Sequence, residues 1–318
     1  MTSEGLEGPD VSRDTPPVFR EEIDRANATG LTPVVFIHGL WLLPSCWERW
    51  AGVFEAAGYT AVTAGWPDDP ETVAEANAHP EVFAGKTVGQ LAEHYSGLIG
   101  RLDKRPVVIG HSFGGLLAQM IAGYGQAAVS VSISSAPCRG VLPLPISALK
   151  SSRPVLANPL NRNRAVSLTY EQFRYAFANA VGEDEAKELY KTFAVPAAGA
   201  PIFQAAVANL DPWTELQVDH RNSDRGPLLL ITGEKDHITP RAIQDSIYKK
   251  QQRNEGVTEI VEMPSRGHAL TIDGGWREVA DTALAFVKRF ASPPPQVEEA
   301  RRASTPATQS AVGALAGH

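Results

Sequence analysis

Short apolar runs recur along the chain, separated by stretches whose apolar positions repeat every three or four residues. Residues 34–37, 61–64, 107–110, 129–134, 228–232 and 258–263 read as strands. Several are apolar without alternation, the pattern of strands buried on both faces. Between them, Trp47, Trp50, Ala51, Phe54 and Ala57 fall on one helix face, as do Val88, Leu91, Tyr95, Leu98 and Leu102. The last periodic stretch turns Trp276, Val279, Ala280, Ala283, Val287 and Phe290 inward, with Leu284 beside them. These aromatic stripes are core positions. Strands alternating with helices predict a parallel sheet covered by helices on both faces.

The alternation breaks over 138–226, which is proline-punctuated and helical without clear strands. Thr169-Tyr170-Glu171-Gln172 is a capping-box start, and GEDEAKELYKTF gives a further helix whose Glu183, Asp184 and Glu185 suit a helix N-terminus. An insertion between two strands of one sheet belongs over the sheet's carboxyl edge, where such folds bind ligands. The expected organisation is a disordered segment 1–17, a core part 18–137, a helical cap or lid 138–226, a second core part 227–290, and a disordered tail 291–318.

Composition narrows the partners. The chain of 318 residues is 43% hydrophobic and 20% charged, so one large core needs no metal or disulfide support. Its formal charge is −7 with no long basic run, which argues against nucleic acid; Arg162 and Arg164 read as a solvated patch. Two cysteines, Cys46 and Cys138, suit buried thiols in a reducing compartment. The first residues lack the apolar core of a secretory signal, and no apolar run is long enough to span a bilayer. A cytoplasmic protein without a membrane span is expected.

The candidate chemistry starts at VVIGHSFGG (107–115). An apolar strand ends at Ser112, held between Gly110 and Gly114, and a helix follows to about Tyr124. Strand, G-x-S-x-G, helix is the pattern of a tight elbow that lifts a serine hydroxyl above the sheet. That hydroxyl needs a base, and the base needs an orienting acid. His268, in MPSRGHAL, follows the last strand; Asp236, in LLLITGEKDHITP, follows the one before. Both loops return to the carboxyl edge. Among the other histidines, His111 adjoins the serine and points away from it, and His237 is badly placed for its neighbouring aspartate. His79, His94 and His220 lie in helical or surface-like contexts, and His318 lies in the tail. Backbone N–H donors for a developing oxyanion are expected at Phe113, after the serine, and at Leu40, after His38-Gly39, with Trp41 second. His38 is expected to brace that loop by hydrogen bonding.

Jointly, HGLW, GHSFGG, GEKDHITP and RGHAL, in the order Ser, Asp, His, resemble the α/β-hydrolase fold superfamily in its capped, esterase-like branch, over about 32–290. The resemblance implies Ser112 as nucleophile, Asp236 as acid and His268 as base, which agrees with the reading of the residues. The chain before Val34 has little room for the fold's opening hairpin. The expected sheet therefore has about six strands, the third to eighth of the usual eight, in an α/β fold flanked by helices with an inserted helical cap.

The reading is a serine hydrolase, without a cofactor or metal, that cleaves a carboxylic ester or related carbonyl substrate through an acyl-enzyme. Its substrate is a small molecule with an apolar acyl or alcohol group, and Trp41, Phe173 and Phe177 are the expected pocket lining. Two alternatives stay open: the same triad used for perhydrolysis, lyase chemistry or carbon–carbon bond hydrolysis, and a non-catalytic ligand receptor on this scaffold. Other motifs fail. Gly85-Lys86-Thr87 lacks the first glycine of a phosphate loop, H-E-x-x-H is absent, and Asp68-Asp69 reads as a solvated turn.

Overall fold

The computed structural model describes residues 17–293. The end segments 1–17 and 291–318 lie almost wholly outside that range. The chain enters through α1 (Pro17–Thr29), where no element was predicted; Ile23 and Ala26 bury one face of it. Then follow β1 (Thr32–Ile37), α2 (Glu48–Glu55), β2 (Tyr59–Val62), α3 (Val73–Ala78), α4 (Val88–Ile99), β3 (Val107–His111), α5 (Phe113–Gly123) and β4 (Val129–Ile133). The insertion carries α6 (Ile146–Leu156), β5 (Ala165–Val166), α7 (Tyr170–Ala176), α8 (Glu183–Phe193), β6 (Ala197–Ala198) and α9 (Ala200–Val207). The core closes with β7 (Leu228–Gly233), α10 (Arg241–Gln251), β8 (Thr258–Met263) and α11 (Trp276–Phe290).

The main sheet has six strands in the order β2-β1-β3-β4-β7-β8, every pair parallel. All six predicted strands are present. β2 starts earlier than its apolar run because Tyr59 and Thr60 pair with Thr32 and Pro33. α1 directly precedes β1, and among the described residues the main sheet has these six strands.

Strand addition reverses at β1: β2 lies on one side of it and β3 on the other. Ligands bind at the carboxyl ends of strands beside such a reversal. The register Ile37↔Gly110 brings β1 and β3 to a common end, so the loops after Ile37 and His111 leave side by side. α5 leaves β3 directly and is buried along its whole length, packed on β3 and β4. Its sequence FGGLLAQMIAG has no polar stripe because no face of it meets water.

Residues 138–226, expected to be without clear strands, contain two short ones. β5 and β6 form a small antiparallel ladder, Ala165 opposite Ala198 and Val166 opposite Ala197. Two residues per strand leave no period to read in the sequence.

Candidate active site

Gly110 and Gly114 are where backbone meets backbone. A Cβ on Gly110 would lie 1.9 Å from the Gly114 carbonyl oxygen, and one on Gly114 would lie 2.0 Å from that of Ile37. Any side chain at either position would push β1, β3 and α5 apart. Between them Ser112 takes φ 58°, ψ −119°, a left-handed conformation that costs a non-glycine residue about 1–3 kcal/mol. Its neighbours hold it there. The Ser112 N–H donates to Ile133, and its carbonyl accepts from Leu116 and Ala136.

Gly39 closes over the serine from the loop after β1. A Cβ there would lie 2.7 Å from the Ser112 Cβ and 3.4 Å from its hydroxyl oxygen. Leu40 follows in the same turn, and Trp41 takes φ 64°. The Trp41 indole donates to the Val166 carbonyl at 2.9 Å, and its own carbonyl accepts from Val195. The His38 ring braces the turn as expected, with Nδ1 2.9 Å from the Gly39 carbonyl oxygen. Its other nitrogen lies 2.9 Å from Asp69 Oδ2, which also accepts from the Trp66 N–H, and Trp66 stacks on the His38 ring. The solvated turn expected at Asp68-Asp69 is thus half wrong. Asp68 is exposed, but the Asp69 side chain is only 4% exposed and belongs to the support of the loop after β1.

Asp236 and His268 meet. Nδ1 of His268 donates to Asp236 Oδ2 at 2.8 Å. The remaining acceptor capacity of the carboxylate is filled by the N–H groups of Ile238 and Thr239 and by the Thr239 hydroxyl. Burial opposes the charge on Asp236, but His268 and these donors outweigh it and bring the carboxyl down to about 2. It is an anion at any ordinary pH. With Nδ1 committed as donor, Nε2 of His268 is the acceptor nitrogen; it is buried and has no protein partner. The His268 ring lies 4.6 Å from that of His111, the residue before Ser112. His111 in turn donates from Nε2 to the His268 carbonyl at 2.9 Å. A ring facing a carbonyl must donate, so His111 cannot serve as a base through that nitrogen.

Residues between β4 and β7 reach these loops. Ala269 N–H donates to the Phe177 carbonyl, and the Asn179 amide donates to that of Lys235. The Phe177 ring meets His268 edge to face at 5.0 Å and Trp41 at 6.1 Å. Phe173 stacks on Phe177 from behind and packs against Tyr190, so it lies one layer further back. Ser112 is left 5% exposed and His268 fully buried. Residue type and spacing alone do not mark His111, Asp69, Thr239 and Asn179 as site residues. Only Thr239 carried a signal, as a hydroxyl three residues past the acid in the same loop.

Cys46 and Cys138 are both buried and unpaired. Burial pushes the Cys138 thiol up to about 11 and the Cys46 thiol higher still, so neither is a nucleophile at neutral pH. Among the described residues no group of three or more His, Cys, Asp or Glu is placed to hold a metal ion.

The family model for the α/β hydrolase family matches residues 34–282, well over half of the chain, and this protein belongs to that family. A search of curated protein sequences finds no match. Solved structures resemble it in fold. A Paleococcus ferrophilus monoacylglycerol lipase superposes with TM-score 0.55 at 17% identity, covering 80% of this chain and 93% of its own. A pyrethroid hydrolase from Sphingobium faniae gives 0.55 at 17%, covering 81% and 97%. An extracellular α/β-hydrolase from a Paenibacillus species, described as sharing structural and functional homology with tobacco salicylic acid binding protein 2, gives 0.58 at 19%, covering 80% and 98%.

Proposed function

We propose that this protein is a serine hydrolase that cleaves carboxylic esters or related carbonyl substrates through an acyl-enzyme. The reading rests above all on the Asp236–His268 pair, whose free imidazole nitrogen is buried beside the elbow that carries Ser112. Nε2 of His268 takes the Ser112 proton as the hydroxyl oxygen bonds to the substrate carbonyl carbon. The ionised Asp236 stabilises the resulting imidazolium. The amides of Leu40 and Phe113 receive the oxyanion, each worth about 10²–10³ in rate. The imidazolium returns its proton to the departing alkoxide as the carbon–oxygen bond breaks. Water, deprotonated by His268, then releases the acid and restores the serine.

The α/β-hydrolase family and neighbours described as a lipase and a pyrethroid hydrolase support ester cleavage in general. Phe177, edge to face on His268, and Trp41, against Phe177, suit an apolar acyl or alcohol group. Because Ser112 is nearly buried, substrate entry requires the cap over 138–226 to shift. The test is labelling with a fluorophosphonate probe alongside p-nitrophenyl ester turnover. Ser112→Ala should abolish the labelling and lower kcat by at least about 10⁴-fold. Undiminished turnover in that variant would remove the centre of the reading.

A further inference from the structure

The insertion exposes apolar side chains where a soluble surface normally hides them. Leu142, Leu144, Ile146, Leu210 and Trp213 are 72–85% exposed. They come from two segments that are stitched together. The Asn209 side chain accepts from the Gly140 N–H and donates to the Val141 carbonyl, while Arg139 donates to the Pro212 carbonyl. Single exposed leucines are ordinary, but several large apolar groups on adjoining segments mark a contact surface.

The charge around this patch is one-sided. Between residues 139 and 164 the chain carries Arg139, Lys150, Arg153, Arg162 and Arg164 and no acidic residue, in a protein of net charge −7. All five are exposed, and none is paired with a carboxylate among the described residues. α6 combines both features, since Ile146, Leu149, Lys150 and Arg153 share its outward face at helical spacing. The neighbouring segment carries two carboxylates, both engaged: Asp211 accepts from the Trp213 N–H, and Glu215 accepts from the Gly89 N–H and the Gln204 amide.

We propose that this face of the insertion docks on an anionic lipid surface, with the leucines, Ile146 and Trp213 entering the interface and the five cations meeting acidic headgroups. Apolar insertion plus a basic cluster is the combination that gives stable peripheral binding. No helix among the described residues is long and apolar enough to cross a membrane. A second copy of the chain fits less well. A two-fold contact through this face would set the cations of one copy against those of the other.

The experiment is co-sedimentation of the full chain with vesicles of phosphatidylcholine alone or with one-third phosphatidylglycerol, at low and high salt. The protein should sediment with the anionic vesicles, at least about tenfold more tightly than with the neutral ones, and be released by salt. Arg153→Glu with Arg162→Glu should lose at least about tenfold in binding, at roughly fivefold per cation. Leu144→Ser with Ile146→Ser should lose binding while keeping the wild-type melting temperature, since both side chains are already in water. Equal binding to neutral vesicles, or no sedimentation with either, overturns the proposal. So does a dimer in sedimentation velocity that the Leu144/Ile146 variant abolishes without any vesicle binding. Ser112→Ala should bind vesicles like the wild type, so this result and the test of the serine are independent.

Discussion

His111 and His268 are tied side chain to backbone: Nε2 of His111 donates to the carbonyl oxygen of His268 at 2.9 Å. The residue before the elbow serine thus holds the loop that carries the imidazole. Burial, reinforced by His268, keeps His111 well below the usual histidine range, so it is neutral in the folded protein. Unfolding frees it to titrate near pH 6.5. Below that pH the unfolded chain binds the extra proton, so the stabilisation is complete above about pH 6.5 and is lost as pH falls towards the folded value. His220, lowered to about 4 by burial and the charge of Lys250, contributes in the same direction. Urea unfolding between pH 7 and 5 should show stability falling with pH. In His111→Gln the slope should be shallower by up to about 1.4 kcal/mol per pH unit.

Asp236 governs a lower window. With its carboxyl at about 2 in the folded protein and near 3.9 unfolded, it adds about 2 kcal/mol that is present above pH 4 and lost between pH 4 and 2. Asp236→Asn should flatten that part of the stability curve. Steady-state kinetics at neutral pH should show kcat reduced about 10⁴-fold with a nearly unchanged KM, because Asn leaves the imidazole in the wrong tautomer.

Two glycines separate packing from propensity. Gly110→Ala puts a methyl 1.9 Å from a backbone oxygen and should cost about 4 kcal/mol or leave the protein insoluble. Gly97→Ala, in α4 with open space at the Cβ position, should raise stability by about 0.5–1 kcal/mol. Thermal melts of the pair decide this. A mild effect at Gly110 would mean that β3 and α5 are not in contact there.

The elbow strain is measurable in the same way. Ser112→Gly relieves φ 58° at the cost of extra chain entropy and should gain about 1 kcal/mol, or some 2–4 °C in melting temperature, while ester turnover is lost.

Asp69 acts at one remove, through His38 and the loop that ends at Leu40. Asp69→Ala should lower kcat about tenfold with little change in KM, a fraction of what removal of an oxyanion donor costs. Asp69→Asn keeps an acceptor for His38 and should recover most of that loss. Equal losses in both variants would assign the effect to the charge rather than to the hydrogen bond.

The sequence made the elbow legible because steric demand is written into residue type. Only glycine fits at 110 and 114, and the apolar run before Ser112 marks the strand. Asp236 and His268 could be located because each follows a strand whose continuous apolar run is hard to mistake. Asp69 could not, since an aspartate in WPDDP looks like any turn residue until His38 is brought beside it. α6 was hidden by Pro145 and Pro154 and by having only Ser151 and Val155 buried, too few positions to set a period. α1 escaped because its buried face is narrow, with Ile23 and Ala26 at its centre.

Residues between β4 and β7 are fastened to the core by main-chain bonds, Phe177 to Ala269 on one side and Val195 to Trp41 on the other. Such seams do not depend on side-chain identity, so the residues between them are free to drift while the anchoring points stay put. A lineage can therefore exchange side chains between these two seams without unpicking the main-chain bonds that tie the segment to the loops after β1 and β8.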